Sequence, residues 1–234
     1  MKITRILVAL GLALACGTAL ANTYQIEGSV DYHHTAGTGH SDDRFSIRAD
    51  YYFTPVLTLN HPLAEAAFLE RTTRVRVQSD LEFDWMTLGG DFYFPNSSFY
   101  AGAALVRREN GDSETRLVGT VGFLPVDGLL ITTSLTDKGY DPNLRAKYVT
   151  HVGGSNFVNV EAEFVERRFD NLLSVLADFY INRSWSIGAG YADNYGDELT
   201  LRTRKFFHND FSAELTFTDT DWGRRVVLGG TLRF

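Results

Sequence analysis

Charged residues recur at every second position along stretches that are otherwise apolar, and that spacing decides what chemistry they can do. Arg44, Arg48, Arg74, Arg76, Arg145, Lys147, Glu161, Glu163, Asp178 and Arg202 follow this pattern, together with Glu27, Asp31, Asp50, Asp91, Arg116, Arg204, Glu214 and Arg233. In an extended chain successive side chains point to opposite faces, so the charges gather on one face and the apolar residues on the other. A face of this kind provides an electrostatic lining. It does not provide the convergent nucleophile, base and orienting acid that hydrolysis requires. Arg44, Arg48, Arg74 and Arg76 come from two consecutive stretches and would make a positive arc. Glu161, Glu163 and Asp178 lie far along the chain and would make an acidic one. A transverse field between the arcs is one expectation; pairing with neighbours that only solvates the wall is the other.

A second cluster has metal-ligand types. His33, His34, His40, Asp42 and Asp43 fall within HHTAGTGHSDD. Their spacing matches no standard transition-metal site, and ordering a flexible loop around an ion costs entropy, so a solvated loop is the preferred reading. The acidic stretches at 109–114, 137–143, 193–198 and 218–224 could hold Ca²⁺ or Mg²⁺, which is true of many acidic surfaces. The expectation is therefore no enzyme, no catalytic residue, no cofactor and no dedicated metal site.

The elements that must carry this lining are strands. Phe45, Ile47, Ala49, Tyr51 and Phe53 alternate with Arg44, Ser46, Arg48 and Asp50. Tyr24, Ile26, Val30 and Tyr32 alternate with Gln25, Glu27, Ser29 and Asp31 in the same way. The pattern continues to the C-terminus and predicts about 14 strands. Stretch 198–207 is the weakest because Lys205 falls on its apolar register, which keeps 12 strands open. Connections alternate between tight turns, such as Pro95-Asn96-Ser97-Ser98 and Pro125-Val126-Asp127-Gly128, and polar, mostly acidic loops. Phe53, Phe92, Phe94, Phe99, Phe123, Phe179, Trp185, Phe207 and Phe211 lie beside the tight turns; Tyr32, Phe45, Phe164, Tyr191 and Phe217 lie near the polar loops. Two aromatic rims, short turns on one side and loops on the other describe an all-β, transmembrane, antiparallel up-and-down barrel. An even strand count would place both termini on the turn rim. A soluble β-sandwich also alternates, but it has no need of two aromatic rims.

The N-terminus supplies the compartment. Lys2 and Arg5 precede the apolar stretch Ile6–Cys16, and Ala19-Leu20-Ala21 has the small-x-small form that precedes signal-peptidase cleavage. Residues 1–21 are thus expected to be a signal peptide and 22–234 the barrel. A lipoprotein reading would use Cys16, but Ala13-Leu14-Ala15 lacks the usual leucine three residues ahead. Cys16 is the single cysteine, so the exported part has no disulfide option. The formal charge of −7 becomes −9 once Lys2 and Arg5 leave, which argues against nucleic acid as a partner. Export, barrel and acidic balance together point to the outer membrane of a Gram-negative bacterium.

One segment breaks the alternation. Thr54–Arg71 contains Pro55 and Pro62, expected to prevent regular strand pairing, and Leu63–Leu69 reads as a short helix. The expected position of 54–71 is a rim insert on the periplasmic side, leaving an open pore. YYFTPV (51–56) followed by PLAEAAFL (62–69), AKYVTHV (146–152), NVEAEFV (159–165) and the terminal RF resemble the putative general porin family of Gram-negative outer membranes. The resemblance implies a water-filled channel for passive diffusion of small hydrophilic solutes and ions. A non-conducting structural or surface-interaction barrel is the alternative. It also implies, as partners, outer-membrane lipids and lipopolysaccharide, small solutes, and the barrel-assembly machinery acting on the strand that ends at Phe234.

Overall fold

A segment that is apolar on one face and charged on the other suits neither lipid nor water alone. Closing such segments into a cylinder gives each face its own solvent and leaves no unpaired backbone edge in the membrane. The computed structural model describes residues 22–37, 40–110, 112–137, 139–166, 171–194 and 196–234; the expected signal peptide, 1–21, lies outside them. The chain forms β1 (Thr23–Gly37), β2 (His40–Leu57), β3 (Arg74–Asp80), β4 (Trp85–Tyr93), β5 (Phe99–Asn110), β6 (Asp112–Val126) and β7 (Leu129–Thr136). It continues through β8 (Gly139–Gly153), β9 (Asn156–Val165), β10 (Leu172–Asn182), β11 (Trp185–Asp193), β12 (Asp197–His208), β13 (Phe211–Thr220) and β14 (Gly223–Arg233).

These 14 strands form one closed ring in which each pairs with its sequence neighbours and β14 returns to β1. The closing register runs from Glu27 opposite Arg233 to Gly37 opposite Gly223. Phe234 fastens the seam: its amide donates to the Ile26 carbonyl at 2.9 Å, and its own carbonyl accepts from the Gln25 and Ile26 amides. The 12-strand alternative fails because β12 pairs along its length with both β11 and β13.

Outward-facing residues are mostly apolar and exposed. All nine aromatic residues expected beside the tight turns lie exposed on the outer wall, where Phe92 packs on Phe94 (4.9 Å between centroids) and Phe207 on Phe211 (5.6 Å). Amphipathic and aromatic side chains favour the membrane boundary, and this row marks it. The turns are short for identifiable reasons. Gly128 has φ 78° and no room for a Cβ, because the Val149 carbonyl lies against it.

Three local expectations need correction. Much of the polar loops at 109–114, 137–143, 193–198 and 218–224 belongs to strands. Hairpin pairing satisfies the backbone there beyond the roughly 9–11 tilted residues that cross a bilayer. Pro55 lies within β2, because at that point β2 has already parted from β3 and pairs only with β1; a missing amide on the free side costs no ladder bond. Tyr24 does not share the outward register of Ile26. A bulge between them turns Tyr24 inward, where it is buried and meets Tyr52 edge-on at 5.4 Å.

Candidate functional site in the barrel lumen

The inward register encloses a cavity of about 490 Å³. Nine of the ten residues expected to line a lumen surround it: Arg48, Arg74, Arg76, Arg145, Lys147, Glu161, Glu163, Asp178 and Arg202. Arg44 does not. It lies farther toward the loop end of β2, where its guanidinium turns to Asp42 (2.6 Å) in the exposed hairpin.

The transverse field is largely cancelled within each wall. Asp50, whose side chain is fully buried, sits among Arg48 (3.2 Å), Arg74 (3.4 Å) and Arg76 (2.8 Å). Arg74 also holds Asp91 at 2.6 Å. On the far side Lys147 and Arg145 bind Glu161, and Arg202 binds Asp178 through both arms of its fork. Arg204 pairs with Glu214, and Arg233 with Glu27 at 2.7 Å. Partly desolvated charges are costly alone, and opposite neighbours one strand away relieve that cost. Pairing to solvate the wall therefore wins over two opposed bare arcs.

Glycine makes one of these pairs possible. Asp178, Gly188 and Arg202 occupy one row on three successive strands. A Cβ on Gly188 would collide with the Asp178 carboxylate. The empty position lets the carboxylate pass over β11 and reach the guanidinium.

The β2–β3 connection (58–73) does not keep wholly to the rim: Ala64, Glu65, Ala67, Phe68 and Thr72 line the cavity, while Leu59 is exposed. After Pro62 it forms a 3₁₀ turn, Leu63–Glu65, and a helical turn, α1 (Ala66–Leu69). Ala66 is fully buried against Tyr24, Tyr52 and Val56, and Ala64, Glu65, Ala67 and Phe68 face the cavity. The segment is anchored across the ring. Glu65 accepts a hydrogen bond from the Tyr180 hydroxyl (2.7 Å) and pairs with Lys147 (2.8 Å). The backbone carbonyl of Arg183, on the β10–β11 turn, accepts from the Leu63 amide at 2.8 Å, and its guanidinium donates to the His61 and Thr58 carbonyls. Arg233 donates to the Leu63 carbonyl at 2.9 Å while its guanidinium lies between Tyr24 and Phe206. Burial of the small apolar face and satisfaction of the turn's polar groups draw this strap inward.

The sequence did not mark Glu65, Tyr180 or Arg183 as partners. Tyr180 stands two residues after Asp178 and so shares its inward register, a legible signal; Arg183 in a turn carries no such signal. Toward the loop end, His34 pairs with Asp43 (2.7 Å) and His33 with Ser46 (3.1 Å). The paired strands β1 and β2 thus carry these histidines in place of the flexible loop expected.

Comparison with known proteins agrees with this architecture. A family described as "Putative general bacterial porin" matches residues 1–141. No curated protein matches the sequence. Among solved structures, the outer membrane protein Omp33 of Acinetobacter baumannii superposes with a TM-score of 0.79 at 22% identity, covering 92% of this chain and 100% of that one. A bacterial polysaccharide outer membrane secretin gives 0.51 at 10% identity, covering 92% and 100%. A mutant of the Rh. blastica porin gives 0.51 at 6% identity, covering 89% and 99%. At these identities the likeness is one of fold.

Proposed function

The chain belongs to the general bacterial porin family, and from that premise we propose how its lumen carries solute. It is an outer-membrane porin, a water-filled channel for passive diffusion of small hydrophilic solutes and ions. The observation that carries the reading is a charged cavity inside a closed barrel whose outer wall is apolar. Such charges would cost about 2–4 kcal/mol each for Arg or Lys facing lipid at the midplane, and little in an aqueous lumen.

In this proposal solutes pass Arg48, Arg74, Arg76, Arg145, Lys147, Glu161, Glu163, Asp178 and Arg202, with Arg44 at the approach from outside. Because most of these cations stand beside a carboxylate, selectivity between small ions is weak and passage is limited by size. The strap is the narrow point, at the periplasmic mouth. Residues 1–21 serve as the export signal, supported by Lys2, Arg5, the apolar stretch and Ala19-Leu20-Ala21. The seam strand ending at Phe234 is the segment offered to the assembly machinery. In this proposal the lumen lines a path and promotes no reaction: Asp50, Glu161 and Asp178 are held by cations and Glu163 by Asn143.

Liposome swelling with neutral sugars of graded size tests this. Swelling that declines with solute size supports the channel. A folded barrel that admits none of them supports a second reading, in which the strap stays seated and the protein serves as a structural or surface-interaction barrel. The strap's cross-lumen anchors are the observation favouring that reading.

A further inference from the structure

Lys205 occupies a position where the outward register carries apolar side chains. Its amine lies 3.3 Å from the Ser184 hydroxyl and 5.4 Å from the centre of the Trp185 ring. Among the described residues no carboxylate pairs with it, whereas the cavity cations each have one. The exposed rings of Trp185 and Phe207 flank it, which sets the amine at the periplasmic boundary of the bilayer. A cation held at that level without an acidic partner faces lipid headgroups.

The wall above it is shaped. Trp185 faces Lys205, Ile187 faces Thr203, and Ala189 faces Leu201, each pair one step farther into the membrane. Ala177 lies beside Ala189. These two small residues, bordered by Phe179, Ile187, Leu201 and Phe217, leave an apolar groove of about 640 Å³. Leu201 lies four residue steps from Lys205, about 13 Å along a strand at ~3.3 Å per residue. With a strand tilt of roughly 40° that is about 10 Å of depth, within one half of a hydrocarbon core ~30 Å thick. Charge and groove are thus spaced as the phosphate and acyl chain of one lipid.

We propose that Lys205 and this groove bind one anionic phospholipid of the inner leaflet. The phosphate meets the Lys205 amine beside Ser184, and an acyl chain runs over Ile187 and Thr203 into the space at Ala177 and Ala189.

The test is native mass spectrometry of the mature protein in detergent, titrated in parallel with dioleoylphosphatidylglycerol and dioleoylphosphatidylcholine. Folding of each variant is checked by heat-modifiable gel migration. The wild type should retain one phosphatidylglycerol in preference to phosphatidylcholine. Lys205→Gln should lower that retention about fivefold, the worth of one basic residue near an anionic lipid surface, while Lys205→Arg keeps it. Ala189→Leu, which fills the groove, should lower retention of both lipids. Equal retention of the two lipids by the wild type, or undiminished phosphatidylglycerol on Lys205→Gln, would overturn the site. Retention insensitive to Ala189→Leu would reduce Lys205 to a surface cation and overturn it too. So would a multimer abolished by Ala189→Leu, since the groove would then seat a second copy of the chain.

Discussion

At the loop end the strands run on past the membrane in pairs, and the contacts of the described residues stay within a hairpin or reach its neighbour. Arg224 binds Asp219 (3.0 Å), Tyr191 binds Asp197 (2.6 Å), and Arg225 approaches Glu198 (3.7 Å). At the turn end five connections are a few residues long, while the sixth, the strap, reaches residues half-way round the ring of 14 strands. The difference is what leads the proposed reading to put the control of passage at the strap. Hairpins satisfy their own backbone and need nothing from the lumen. The strap carries a buried apolar face and a carboxylate, Glu65, that are satisfied only inside it.

The largest effect is expected from removing the strap. Replacing residues 58–72 by a short Gly/Ser linker should raise single-channel conductance several-fold, since the segment proposed to narrow the path is then gone. Unchanged conductance would show that the strap does not limit flow. Next comes Asp50→Asn, which leaves Arg48, Arg74 and Arg76 around a neutral side chain. Loss of a buried partner should cost about 3 kcal/mol, read as a lower urea midpoint for unfolding. The extra positive charge should also shift reversal potentials in a salt gradient toward anions. Glu65→Gln sharpens the comparison more finely. It weakens one charged anchor by roughly 1–3 kcal/mol, so the strap should spend more time away from its seat and mean single-channel conductance should rise, by less than on strap removal. The smallest effect belongs to the other mouth: shortening the β13–β14 hairpin tip (219–224) should leave conductance within experimental error.

The barrel was legible because its cause is local and repeated. A period of two, written along β2 as Phe45, Ile47 and Ala49 against Arg44, Ser46 and Arg48, states which face meets lipid. Lys205 reads as a defect in that pattern only until Trp185 and Ser184 are seen beside it. The strap was less legible for a physical reason. Pro55 and Pro62 say that regular pairing ends, but whether 58–73 lies on the rim or inside depends on Tyr24, Tyr52, Tyr180 and Arg183. Tyr180 and Arg183 come from across the ring, and the bulge that turns Tyr24 inward breaks the very alternation by which the strand is read. The inward alternation of charges was visible in the sequence, although Arg44 lies outside the cavity. The lining's near-neutrality was not, because pairing such as Asp178 with Arg202 needs the row of three strands and the vacancy at Gly188.

The central claim, that this porin conducts passively through a charge-paired lumen narrowed at one mouth, is tested most directly by single-channel recording of the refolded mature protein in a planar bilayer under a salt gradient. Discrete, reproducible steps with a reversal potential near zero are the expected result. A correctly folded barrel that stays silent, in the wild type and with the strap removed alike, would contradict it.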